Sequence, residues 1–287
     1  MRTSFNQKVT RMNRRQLIGN AVAGAVVTGS LLTSSNSAKS AETRSPLTFV
    51  LVHGAWHGGW CYRDVASELR SMGHTVFTPT LTGLGERAHL NGQDVTLETH
   101  IRDVCGVIEA EELSDVILCG HSYGGMVITG VADRMASRIR TLVYLDAFIP
   151  EHEQSLNKCL EVALSRENFK AFIEGFRGSA IKNNSGLMAP APAEGFKVIE
   201  QKRAWVDRRC VPQALATFEM PVLLTGAGSA IKERVFILAE GWDPSPFRYY
   251  AAKVAGLPGW RVTKMPCGHD VMVDMPVELA RELVKPA

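Results

Sequence analysis

The chain has 287 residues, 45% of them hydrophobic, and a formal net charge of +3. That length suits one large domain or a core with an insertion, and the apolar content is enough for a sizeable buried core. The 32 basic and 29 acidic residues are evenly spread, which excludes a nucleic-acid-binding charge pattern; past the first 40 residues no apolar run is long enough for a polytopic membrane protein.

Residues 1–41 read as a bacterial signal peptide. Arg11, Arg14 and Arg15 precede a Gly/Ala-rich apolar run from Leu17 to Leu32, and small and polar residues follow to Ala41. The local pattern Asn13-Arg14-Arg15-Gln16-Leu17-Ile18 resembles a twin-arginine signal. The expectation is cleavage near Ala38 to Ala41, export to the periplasm or beyond, and no stable membrane association afterwards.

From residue 45 apolar runs alternate with helical patterns. Leu47 to His53 reads as a strand, followed by the Gly-rich loop Gly54-Ala55-Trp56-His57-Gly58-Gly59-Trp60. Cys61 to Ser71 has helical spacing, with Val65, Leu69 and Met72 on one side, and Gly73 ends it. Thr75 to Leu81 is a second strand, Thr82 to Arg87 a loop and Thr99 to Glu112 a helix. Val116-Ile117-Leu118-Cys119 is a buried strand leading into Gly120-His121-Ser122-Tyr123-Gly124, which fits G-x-S-x-G. That motif sets a serine on a sharp strand-to-helix turn with its Oγ exposed. Met126 to Arg134 supplies the helix, and Ile139 to Leu145 is a further strand closed by Asp146. Such alternation predicts an α/β fold with a mostly parallel central sheet flanked by helices, binding ligands outside the carboxyl ends of its strands.

The pattern changes after residue 150. Helical stretches, Ser155 to Phe176 and Gly195 to Asp207, flank the Pro/Ala/Asn-rich segment Asn183 to Ala193. This predicts a first core part over 45–150, an inserted helical cap over 151–230 and a second core part over 231–287. In that last part Arg234 to Ala239 is a strand, Phe247 to Ala255 a helix and Trp260 to Met265 the last strand. The loop Pro266-Cys267-Gly268-His269-Asp270 and a closing helix from Pro276 to Val284 follow.

A serine hydroxyl is a weak nucleophile at neutral pH and needs an adjacent base held by a carboxylate. Ser122 is the candidate nucleophile. His269, in the loop after the last strand, is the candidate base. Two carboxylates compete for the third place: Asp146, at a strand end, and Asp243, in Gly241-Trp242-Asp243-Pro244 beyond the next core strand. Asp146 is favoured because it sits cleanly at its strand end. Asp270 adjoins His269, and adjacent side chains point apart. The backbone N–H groups of Ala55 and Tyr123 are the candidate oxyanion donors. His53, Gly54, Trp56 and His121 are expected beside the substrate, with His57 and Trp60 as further candidates for the pocket wall.

None of the six cysteines stands in C-x-x-C spacing, so a zinc or redox motif is not indicated. Cys119 reads as a small buried side chain. Cys159 and Cys210 fall in the least regular part and could pair in an exported chain.

Val52-His53-Gly54-Ala55-Trp56-His57-Gly58-Gly59-Trp60, Gly120 to Gly125 and Gly268-His269-Asp270 resemble the α/β-hydrolase superfamily. More narrowly they look like the branch of plant methyl esterases and hydroxynitrile lyases, with its bacterial aryl-ester and carbamate hydrolases. The resemblance implies the α/β-hydrolase fold, Ser122 and His269 as nucleophile and base, and Ala55 and Tyr123 as oxyanion donors. In the plant branch the acid follows the later strand, which points to Asp243 with a one-residue departure in spacing. In haloalkane-dehalogenase-like relatives it follows the earlier strand, as Asp146 does. Lyases of the branch carry a lysine after the catalytic histidine and a threonine after the first-loop histidine; Asp270 and Gly54 stand there instead, which favours ester hydrolysis. The expected partner is a small-molecule ester, with no metal or organic cofactor. Amide or carbamate hydrolysis, cyanohydrin cleavage and non-catalytic ligand binding are the rival readings. The oligomeric state is left open, a homodimer included.

Overall fold

A computed structural model describes residues 45–182 and 186–286. The predicted signal peptide, residues 1–41, lies outside the described residues. In chain order the elements are β1 (Thr48–Val52), α1 (Arg63–Ser71), β2 (Thr75–Phe77), α2 (Leu97–Ala110), β3 (Val116–Ser122), α3 (Gly124–Arg134), β4 (Ile139–Ala147), α4 (Leu156–Ala163) and α5 (Arg166–Lys182). Then come β5 (Leu187–Met188), α6 (Glu200–Asp207), β6 (Gln213–Ala214), α7 (Ala216–Glu219), β7 (Glu233–Ala239), α8 (Phe247–Val254), β8 (Trp260–Met265), α9 (Val271–Asp274) and α10 (Pro276–Leu283).

Six strands form one sheet in the order β2-β1-β3-β4-β7-β8, and every neighbouring pair is parallel. A parallel sheet covered on both faces needs strands that are apolar on both sides. β3 meets that demand, since Val116 to His121 are all buried. The carboxyl ends of β1, β3, β4 and β8 therefore open onto one edge, and each sets one of His53, Ser122, Asp146 and His269 at or just past its end.

Several boundaries differ from the sequence expectation for local reasons. β2 stops at Phe77, well short of Leu81, because Pro79 has no N–H to offer a ladder and the Leu81 N–H is taken by His53 Nε2 at 3.1 Å. Met72 lies past the end of α1 and is exposed, while Val65 and Leu69 are buried. The stretch from Ser155 to Phe176 is two helices, not one. Ser165 breaks it by capping α5, its Oγ accepting from the Asn168 N–H at 3.3 Å. Gly195 to Lys197 lie in turns, and helix begins only at Glu200. The segment between β4 and β7 also holds a two-stranded antiparallel ladder, β5 with β6, which sequence alternation did not reveal because each strand has only two residues.

Candidate active site

The turn after β3 is built as the motif demands. Ser122 has φ +54°, a left-handed conformation costly for a residue with a side chain. Its neighbours must then be small. A Cβ on Gly120 would lie 2.5 Å from the Gly124 carbonyl, and one on Gly124 would lie 2.8 Å from the His53 carbonyl. Strand and helix can cross this closely only with glycine at both places.

Asp146 reaches the site through an irregularity in β4. The register runs His121 with Leu145 and then Ser122 with Ala147, so Asp146 is the extra residue of a bulge, with φ +43°. A bulge re-aims the side chain it carries. The carboxylate is fully buried and takes three hydrogen bonds: from the Ala239 N–H to Oδ1 at 3.0 Å, and from Trp242 Nε1–H at 2.8 Å and His269 Nδ1–H at 2.7 Å to Oδ2. Asp243 is elsewhere. Its side chain is 73% exposed and paired with Arg248 at 3.1 Å. Of the two candidate acids only Asp146 is brought to His269.

The His269 ring is enclosed by aromatics, with Phe247 stacked at 5.2 Å and Trp242 at 4.6 Å between ring centroids. With Nδ1 committed to Asp146, Nε2 is the nitrogen left for proton transfer. Ser122 and His269 line the same cavity, and among the described residues no hydrogen bond closes between them. In empty sites that contact is often long and tightens when substrate arrives. Ala55 and Tyr123 also line the cavity, and among the described residues their N–H groups make none of the turn hydrogen bonds that neighbouring amides make.

The remaining predicted positions separate. Trp56 lines the cavity; His53, Gly54 and His121 do not. His53 is buried beneath the first loop, with Nδ1–H donating to its neighbour's carbonyl at 2.8 Å and Nε2 accepting from Leu81. Burial pushes its pKa down to about 3, so it is neutral. His121 turns inward, and its Nε2–H donates to the His269 carbonyl at 3.0 Å. It braces the base loop. Gly54 gives that ring room, since a Cβ there would lie 2.7 Å from His121 Nδ1. His57 and Trp60 are likewise away from the cavity. Cys159 and Cys210 are free thiols that do not pair; Cys159 faces Met126 at 3.9 Å and Cys210 faces His57.

Two residues that sequence reasoning passed over also shape the site. Trp242, read only as the neighbour of Asp243, donates to Asp146 and forms cavity wall. Gln213, in β6, accepts the Trp56 N–H at 2.8 Å, which steadies a residue held at φ +63°. The cavity, about 480 Å³ including its open mouth, is walled by Trp56, Trp242 and six phenylalanines: Phe148, Phe172, Phe176, Phe196, Phe218 and Phe247. Among the described residues no Asp, Glu, Lys or Arg lines it.

The chain belongs to the alpha/beta hydrolase family, whose sequence profile matches residues 49–282. Within that family, a carbendazim hydrolyzing esterase from Nocardioides sp. (strain SG-4G) is 69% identical over 235 residues, which cover 82% of this chain and 97% of that protein. Methylesterase 10 of Arabidopsis thaliana is 26% identical over 251 residues, covering 82% of this chain and 90% of that protein. Among solved structures, an extracellular alpha/beta-hydrolase from a Paenibacillus species, described as homologous in structure and function to tobacco salicylic acid binding protein 2, is similar with a TM-score of 0.70 and 26% identity. The match covers 83% of this chain and 97% of that one. These are the plant-methylesterase-like and bacterial relatives that the sequence motifs resemble.

Proposed function

We propose that the protein is an ester hydrolase in which Ser122, His269 and Asp146 work as nucleophile, base and orienting acid. Ser122 Oγ attacks the ester carbonyl while His269 Nε2 takes its proton. The N–H groups of Ala55 and Tyr123 receive the oxyanion, and the same proton leaves with the alcohol. Water, activated by His269, then releases the acid from the acyl-enzyme. Asp146 holds the imidazole in the tautomer that leaves Nε2 free. The observation that carries this reading is the 2.7 Å bond from His269 to a carboxylate that Trp242 and Ala239 also hold.

The cavity wall narrows the substrate class. A charged acyl or alcohol group would lose its hydration and find no partner on this aromatic lining. The reading is therefore a neutral, flat aryl or heteroaryl ester. A methyl carbamate is the second candidate, favoured by the relative named for carbendazim hydrolysis at 69% identity. Export of the mature chain is the accompanying proposal, supported by the arginines ahead of the Leu17 to Leu32 run.

The test is a panel of neutral aryl esters, carboxylate-bearing analogues of the same shape, and methyl carbamates including carbendazim, each assayed with the parent and with Ser122→Ala. Turnover of the neutral members, lost in Ser122→Ala, is expected. Equal turnover of the charged analogues would overturn the substrate class.

A further inference from the structure

Four buried histidines surround the site, and one of them differs in its partners. His53 and His100 each have one nitrogen facing a carbonyl and the other facing a donor, the Leu81 N–H and the Tyr123 hydroxyl respectively. His121 has one nitrogen on a carbonyl and the other unpartnered. Each of these arrangements suits a neutral ring, which carries one N–H. His57 instead presents both nitrogens to acceptors: Nδ1 to the Ala55 carbonyl at 2.7 Å and Nε2 to Asp270 Oδ2 at 3.1 Å. Both contacts are hydrogen bonds only if both nitrogens carry protons. His57 and Asp270 are both almost wholly buried, so this is an imidazolium–carboxylate pair shielded from water.

The pair joins two loops that are distant in the chain and carry different parts of the proposed site. His57 lies two residues beyond Ala55, and Asp270 directly follows His269. They are 213 residues apart in sequence, and β3, β4 and β7 lie between their strands in the sheet. The peptide joining Ala55 to Trp56 is held at both ends. Its carbonyl accepts from His57, and its N–H donates to Gln213. That peptide directs the chain at Ala55, which lines the cavity and is the proposed oxyanion donor. An ionised clamp at this point sets the oxyanion donor relative to the base.

We infer that His57 and Asp270 are positioning residues, a buried ion pair that locks the oxyanion loop to the loop bearing His269. This rests on the hydrolase reading above. The clamp touches neither substrate nor reacting atoms, so its effect belongs to the transition state and not to substrate binding. It also assigns Asp270 a place. It is fully buried and does not line the cavity.

The clamp has a pH limit. Burial opposes charge on His57, but the neighbouring Cys210 sulfur and the Asp270 carboxylate outweigh it and hold the ring well above its ordinary 6.5. Burial raises Asp270, and the His57 charge and hydrogen bond, with His121 and His269 behind them, bring it below its ordinary value. The other titratable groups facing the ring are His121 at 6.3 Å between centroids, His53 and Cys61, and Trp60 covers one ring face. When His57 loses a proton in alkaline solution, one of its two acceptors goes unsatisfied and the clamp opens.

The test compares pH profiles of kcat and KM for the parent and Asp270→Asn, with phosphonate labelling of Ser122 run on both. In the parent, kcat is expected to fall about tenfold on the alkaline side with KM within about twofold, since a misplaced oxyanion donor acts on the transition state. Asp270→Asn is expected to lose that fall or to show it at a lower pH, because only the Cys210 sulfur then favours the charged ring. The amide can donate to a neutral His57 while Nδ1–H still serves Ala55. The same alkaline fall in Asp270→Asn, or none in the parent, would overturn the inference. Nitrogen-15 NMR of the parent gives a readout that needs no variant. Both His57 ring nitrogens should be protonated on the acid side of the alkaline fall, and a neutral ring there would also overturn it. A parent that takes no phosphonate on Ser122 would instead sink the hydrolase reading on which the clamp depends.

Discussion

Replacing Asp146 by Asn tests the assignment of the acid, and the structure sets the size of the effect. Asp146 offers two acceptor oxygens to three donors: Ala239 N–H, Trp242 Nε1–H and His269 Nδ1–H. Asn has one acceptor oxygen and one NH2. If its oxygen keeps His269 and Trp242, the NH2 confronts the Ala239 N–H at about the former 3.0 Å, donor against donor. If the amide turns round, the NH2 donates to His269 Nδ1. The imidazole proton is then forced onto Nε2, and no base faces Ser122. The second outcome abolishes general-base catalysis and costs on the order of 10⁴ in kcat, as expected when a triad histidine is held in the wrong tautomer. The first strains a fully buried site and loses the negative charge that stabilises the imidazolium. Asp243→Asn removes only an exposed pairing with Arg248 and should change kcat by less than about twofold. The assay is single-turnover acylation by a p-nitrophenyl ester, with near-UV circular dichroism to show that each variant is folded. Asp146→Asn keeping more than about a tenth of parent kcat, or Asp243→Asn losing as much as Asp146→Asn, would refute the assignment.

Three further outcomes follow from particular contacts. Trp242→Phe keeps most of the cavity wall but removes the indole donor to Asp146; kcat should drop about tenfold, the worth of one hydrogen bond to a charged group, and an unchanged kcat would show that the indole only fills space. Gly120→Ala would set a Cβ 2.5 Å from the Gly124 carbonyl, so urea unfolding should show a loss of about 2 kcal/mol or more, and parent-like stability would mean the elbow can relax. The third outcome concerns acid. Burial before all else pushes His53 down to about 3, His100 to about 4 and His121 well below the ordinary 6.5. These three rings bind protons only on unfolding, so stability present above pH 6.5 is lost as pH falls. Asp274, raised mainly by burial to about 6, offsets one of the three. The net loss is about 3 kcal/mol per pH unit between about pH 6 and 5, readable from urea midpoints, and a flat profile there would contradict neutral rings.

The parts of the site that were legible in the sequence are those that a short stretch determines alone. Gly120 to Gly124 announces its turn because only small residues permit the close crossing of β3 and α3. β8 matches its expected bounds of Trp260 to Met265, and His269 lies in the loop just past its end. The third partner was harder to read. Asp146 is favoured over Asp243 on strand ends, and the features that bring it to His269, a bulge in β4 and a tryptophan donating across from the loop after β7, depend on register and loop path. Periodicity carries neither. His53 and His121 looked like pocket residues because they adjoin the oxyanion loop and the serine. Alternation along β3 turns His121 away from the cavity, and His53 is used to tie the loop to Leu81. The pairing of His57 with Asp270 joins the two ends of the fold, and local pattern holds no trace of it.

The account stands or falls on Ser122 as the nucleophile. The most direct measurement is labelling of the folded protein with an aryl phosphonate, followed by intact mass and peptide mapping, with residual esterase activity read on the same samples. The account predicts one adduct per chain, on Ser122, with activity lost in proportion to labelling, and no adduct in Ser122→Ala. A folded, active protein that takes no phosphonate on Ser122, or that loses activity through an adduct elsewhere, would contradict it.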